Sequence, residues 1–274
     1  MKKIFGLLSA LALIMVMGSC GDDNNGSTTG SVTRTIKALN HIVSTASDGE
    51  SPHVSSSNID YTFDRANQSV TALTLRVKLN GNEETTVNIS GVQSSTSGGV
   101  CSFKASGNGV TDLRGRLDLN EGTLRVNYNL DGKYRVIATT PEVFSNNCPT
   151  ACAYSDGSTT WNNNNTVYQF NIDAEALTAK IIMGSLIDQK AKRTLDNIVA
   201  QTTATVKVTK AGYEIVADDM IPTKTYYKLN GKTTETTTYP ISDLKATIDL
   251  ENSKFDATLL LGNITLTANG SVSN

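Results

Sequence analysis

The chain has 274 residues, 24 of them Lys or Arg and 26 Asp or Glu. With Lys2 and Lys3 removed by processing, 22 basic residues face 26 acidic ones, a net charge of about −4. That balance, with no basic run or basic amphipathic helix, argues against a general nucleic-acid or anionic-membrane binder.

Met1-Lys2-Lys3 is a basic start, Ile4–Val16 is apolar, and Met17-Gly18-Ser19-Cys20 follows. The apolar stretch is too short to span a bilayer comfortably, so residues 1–19 read as a secretory signal peptide. Small residues directly before a cysteine resemble a bacterial lipobox, with Met17 where that pattern usually has Leu. The looser lipoboxes of Bacteroidetes lipoproteins are similar. The resemblance implies lipidation of Cys20 and an anchor in the outer membrane. Residues 20–32 then form a lipidated cysteine and a polar Gly/Ser/Asn tether. Asp22 and Asp23 resemble a surface-export signal, so the expected location is lipid-anchored, facing the periplasm or the cell surface, with the surface favoured.

About 240 residues remain after the tether, enough for two modules with a small core each. Their apolar residues alternate instead of recurring at helical spacing. Leu73, Leu75, Val77 and Leu79 oppose Thr74, Arg76 and Lys78, and Asn80-Gly81 signals a hairpin. Thr85–Val92, Val100–Ala105, Val206–Val208 and Tyr213–Ala217 read as strands. Leu186–Val199 has some helical spacing, but its Gly- and Thr-rich counterpart earlier in the chain favours strand or loop.

Two stretches, Val110–Thr139 and Ile241–Gly270, follow one plan of three alternating strands. In the first, Leu113, Gly115, Leu117 and Leu119 share a face, Asn120-Glu121-Gly122 turns, Leu124, Val126, Tyr128 and Leu130 alternate, and Asp131-Gly132 turns again. In the second, Leu244 to Leu250, Phe255 to Leu261 and Ile264 to Ala268 repeat the pattern. Tyr61-Thr62-Phe63 also matches Tyr168-Gln169-Phe170. The expectation is an all-β chain of two tandem duplicated antiparallel meander modules, each a sandwich or barrel, at residues 33–140 and 141–274, or one continuous sheet. Extra residues in the second module are expected around Ile221–Tyr239.

Candidate chemistry is sparse. Besides Cys20 there are Cys101, Cys148 and Cys152. Cys148 and Cys152 lie in NNCPTAC, which reads as a connection between modules that a local disulfide would close; Cys101 paired with one of them is the alternative. The histidines are His41, in the first strand, and His53, in a loop. No G-x-S-x-G elbow accompanies them, and both read as structural or solvated. Asp112 and Asp243, equivalent acids of the two meanders, read as turn caps. Asp218-Asp219 and Asn171-x-Asp173-x-Glu175 are oxygen-rich but lack the pattern of an EF-hand, so no metal and no cofactor is expected. Trp161, the single tryptophan, stands in TTWNNNN, where asparagines could hydrogen-bond sugar hydroxyls; Tyr226 and Tyr227 form a second candidate platform. The competing reading is that Trp161 caps its module's core.

The body resembles, in its short alternating strands, closing meander and few aromatics, the uncharacterised β-rich lipoproteins of Bacteroidetes, some of them lipocalin-like. The resemblance transfers no functional residue. The expected function is non-enzymatic: a cell-envelope binding or adhesion module for glycan or protein. A lipocalin-like carrier of an apolar ligand, with Leu75, Leu117, Tyr128, Leu259 and Leu261 as pocket walls, is the alternative, and a hydrolase the minor one. The expected partners are the membrane, through the lipid on Cys20, and a glycan, protein or apolar small molecule, without nucleic acid.

Overall fold

A computed structural model describes residues 30–46, 49–79, 83–140 and 143–272. The stretches read as signal peptide and tether (up to Thr29, with Cys20) and the Asn80-Gly81 hairpin signal lie outside the described residues. All regular structure is β, and no helix occurs among the described residues.

The first sheet has nine antiparallel strands: β1 (Ser31–Ser44), β2 (His53–Asp64), β3 (Ser69–Lys78), β4 (Glu84–Ser90), β5 (Gln93–Ser97), β6 (Val100–Gly107), β7 (Val110–Asp118), β8 (Thr123–Leu130) and β9 (Tyr134–Thr140). They lie in the order β4-β3-β2-β1-β9-β8-β7-β6-β5. The sheet curls until its two edges meet on β3. Residues 72–78 of β3 pair with β4, while Ser94 Oγ of β5 donates to Val70 O at 3.1 Å and Thr96 Oγ1 to Gln68 O.

The second sheet contains β10 (Val143–Tyr154), β11 (Thr160–Asp173), β12 (Thr178–Gly184), β13 (Leu186–Asp188), β14 (Arg193–Ala200), β15 (Ala204–Val208), β16 (Gly212–Ala217), β17 (Thr223–Leu229), β18 (Lys232–Thr236), β19 (Ile241–Asp249), β20 (Lys254–Leu261) and β21 (Ile264–Ser271). Eight of them close a ring: β10, β11, β12, β15, β16, β19, β20 and β21, with β21 returning to β10. β12 forks as β3 does. Thr178 and Ala179 pair with β15, whereas Ile182 and Met183 pair with β14. From that fork β13, β14, β17 and β18 extend as a flap. The β17–β18 hairpin lies within residues 221–239.

Alternation explains both interiors. Leu113, Leu117, Leu124, Val126, Tyr128 and Leu130 point into the first sheet, and Leu244, Ile248, Phe255, Leu259, Leu261 and Leu266 into the second, all at most 3% exposed. Turns match the sequence where their chemistry is explicit. Asp131 and Gly132 both have positive φ, 52° and 63°, as a type I′ hairpin requires.

The two sheets pack against each other. Residues 38–43 of β1 and 136–140 of β9 are buried on both faces. Leu39, Val54 and Ile137 join the core of the second sheet. Arg125 donates to Leu250 O and to Ser253 Oγ (3.3 Å), Arg135 pairs with Glu251, and His41 Nε2 bonds Thr209 O at 2.7 Å.

Candidate functional site

The stretch NNCPTAC is a strand, not a connection. It forms the middle of β10, and the proline is accommodated by a bulge. Cys148 pairs with Thr166 and Thr150 with Asn163, so the ladder slips at Pro149, where the missing N–H costs no bond. The expected Cys148–Cys152 disulfide is therefore not formed. Four residues apart on an extended strand, their Cα atoms are separated by about 13 Å, well beyond the roughly 7 Å a disulfide allows. Both are free, buried and turned into the ring, and Cys101 is free in the first core. Burial pushes the Cys152 thiol up to about 11 and raises Cys148 as well, so neither is a thiolate at neutral pH.

With Cys148, Thr150 and Cys152 inward, Pro149, Ala151 and Ala153 face outward. Neighbouring strands stand taller. Ala151 pairs with Asn162 on one side and Thr267 on the other; Ala153 pairs with Thr160 and Thr265. The small side chains sink β10 into a trough about 10 Å across, two strand spacings. Two open depressions of about 330 and 340 Å³ lie along it. Asn164 and Asn269 line one end; Trp161 and Cys152 border the other. No lining residue is ionisable except the inward Cys152. The trough therefore offers hydroxyl and amide hydrogen bonds around an apolar floor, and no acid–base pair or nucleophile of normal reactivity.

Trp161 is half-buried and packs on the core, its ring 5.0 Å from that of Tyr154. Tyr154 leads into a polar network at the same end of the ring. Asp188, 5% exposed, accepts from Tyr154 Oη at 2.6 Å, Tyr239 Oη at 2.5 Å and the Ala191 amide at 2.9 Å. Burial works against its charge, but these bonds and Arg193 outweigh it and hold the carboxyl below its ordinary range. Burial, reinforced by Asp188, pushes Tyr239 up to about 12. Arg193 donates to Tyr239 Oη at 2.6 Å and lies over the Tyr227 ring at 4.4 Å; Lys190 lies over Tyr154 at 4.2 Å. The structure thus joins Trp161 and Tyr227 through one network, while Tyr226, facing the other way on β17, stays outside it. Tyr227 is 9% exposed and serves the flap, not a platform.

The remaining candidates fall elsewhere. His41 is fully buried between the sheets, and His53 begins β2 instead of lying in a loop. Asp112 and Asp243, expected as turn caps, sit instead within β7 and β19 at bulges, with φ of 52° and 51°. Asp173 caps the β11–β12 turn by accepting from the Glu175 and Ala176 amides, and Asp218 and Asp219 are exposed at a bend. Among the described residues no three His, Cys, Asp or Glu side chains gather to hold a metal. The trough's alanine floor and the Asp188 network were missed by sequence reasoning. Alternation of Ile264, Leu266 and Ala268 already placed Thr265 and Thr267 outside, but nothing marked β10 as their neighbour.

No protein-family model matches the chain, and comparison with curated proteins and with solved structures returns no match.

Proposed function

We propose that the protein is a non-enzymatic binding module of the cell envelope, anchored through lipid on Cys20, that holds a neutral glycan in the trough over β10. The observation that carries this reading is the trough's chemistry. An Ala151/Ala153 floor suits the C–H face of a sugar ring, and the Thr and Asn rims suit its hydroxyls, with no charge to select an ion. The trough lies on a paired strand, whose ladder groups are used by β11 and β21, so it does not invite an extended peptide by strand addition. The carrier reading has less support: Leu75, Leu117, Tyr128, Leu259 and Leu261 are at most 3% exposed within packed cores, and the ring is occupied by Tyr168, Phe170 and Phe255. The two modules read as copies of one duplicated unit, supported by the forks at β3 and β12 and by the paired bulges at Asp112 and Asp243.

The test is a neutral-glycan array probed with the wild-type protein and with Ala151→Trp, which fills the trough from its exposed floor without entering the core. Loss of binding with unchanged melting supports the site; equal binding by both proteins removes it. In the native host, Cys20→Ser should move the protein out of the membrane fraction.

A further inference from the structure

Strand alternation in β7 turns Leu113 and Leu117 inward, at 1% exposure each, and leaves Arg114 and Arg116 exposed on the outer face. The sheet register then sets cations against them. Lys104 of β6 lies directly opposite Arg114, and Arg125 of β8 directly opposite Arg116. Facing side chains on adjacent strands have Cβ atoms about 5 Å apart, and the two rows are about 7 Å apart along the strand. Four cations thus occupy a small grid on a chain that is acidic overall.

Like charges placed directly opposite destabilise a sheet, and little on the surface relieves them. Arg125 is half-buried and its guanidinium is held at the second sheet by Leu250 O and Ser253 Oγ, which leaves Lys104, Arg114 and Arg116 as the exposed cations of the grid. Arg116 has Asp118 at 3.9 Å, a carboxylate that also caps the β7–β8 turn. Asp112, the other acid on β7, accepts from Asn129 at 3.2 Å. The Lys104 and Arg114 side chains have no ion pair or hydrogen bond among the described residues.

We propose that this strip binds the carboxylate or sulfate groups of an acidic polysaccharide. Gln93, Ser102 and Asn127 are cross-strand partners of these cations and supply neutral donors beside the charges. A membrane surface fits less well, because adhesion by charge also needs an apolar anchor, and among the described residues of β5–β8 and their turns Leu119 is the one exposed large apolar side chain. The site is separate from the trough on the second sheet, so either can fail alone.

The test uses the full chain in detergent on immobilised heparin and polygalacturonate at low salt, with dextran as the uncharged matrix. Wild type should be retained on the acidic matrices and released by salt, as exposed charge contacts are screened. Lys104→Ser/Arg114→Ser/Arg116→Ser should weaken binding by about tenfold or more, with Arg114→Gln intermediate and melting no lower than wild type. Lys207→Ser/Lys228→Ser/Lys232→Ser, which removes the same charge from the second sheet, should bind as wild type. The proposal is overturned by no retention of wild type, by equal loss in both triple variants, or by retention on phosphatidylglycerol vesicles alone.

Discussion

Gly115 has no side chain because Phe103 needs the space. A Cβ there would stand 2.0 Å from the Phe103 Cζ atom, so the ring of β6 lies across the bare backbone of β7. Gly115→Ala should force the ring out of place and cost about 1–3 kcal/mol, read as a lower urea midpoint at unchanged slope. The alternation in Leu113-Gly115-Leu117 placed this glycine inside, but the ring that covers it comes from another strand and was invisible in the local pattern. Leu177 presents the opposite case. It closes the β11–β12 turn at φ 50° and is 41% exposed, so it bears the left-handed strain of an L residue without burying its side chain. Leu177→Asn should therefore raise stability by about 1 kcal/mol, seen as a higher midpoint in the same titration.

At the scale of the hairpin, one rule recurs. Asp64, Asp118, Asp173, Asp188 and Asp249 each accept backbone amides from the turn that follows. The residue four positions on, Gln68, Gly122, Leu177, Lys192 or Ser253, takes positive φ. Only Gly122 announces this in sequence, since the other four carry side chains that rarely adopt that conformation. The strands themselves were legible wherever one face is apolar and the other polar. They were not legible where a strand is polar throughout, as in Gln93–Ser97, or where Pro149 and a run of asparagines imitate a loop. That second failure hid the trough, although Trp161 and its asparagines had drawn attention to its border. Asp188 differs from the other turn acids because Tyr154 and Tyr239 also donate to it, tying the β13–β14 turn to the ring. Asp188→Ala would strand two buried hydroxyls and an amide. It should cost about 3 kcal/mol, with the flap of β13, β14, β17 and β18 the first part to lose protection from amide hydrogen exchange.

Across the whole molecule, net charge predicted little about local surface. A chain of net charge −2 still assembles Lys104, Arg114, Arg116 and Arg125 on one face, because strand register and not sequence adjacency decides which charges meet. The same holds at the junction of the two sheets, where no motif marked His41. Its ring is fully buried, Nε2 bonds Thr209 O, the Tyr213 ring stands edge-on at 5.5 Å, and Nδ1 has no hydrogen-bond partner among the described residues. Protonation would bury a second N–H without an acceptor. Burial therefore lowers the His41 pKa below its ordinary 6.5, with Arg135 and His53 opposing the charge and the Thr209 carbonyl and Glu251 favouring it. Above pH 6.5 the ring is neutral folded or unfolded, and its contribution to stability is complete. As pH falls below 6.5 the unfolded chain takes up the proton first, so stability declines toward the lowered folded value. His41→Gln keeps an N–H donor for Thr209 and removes the titration. Melting temperature followed downward from pH 7.5 should fall for wild type once pH drops below about 6.5 and stay flatter for His41→Gln. Identical profiles would mean that the junction does not sense the proton through this ring.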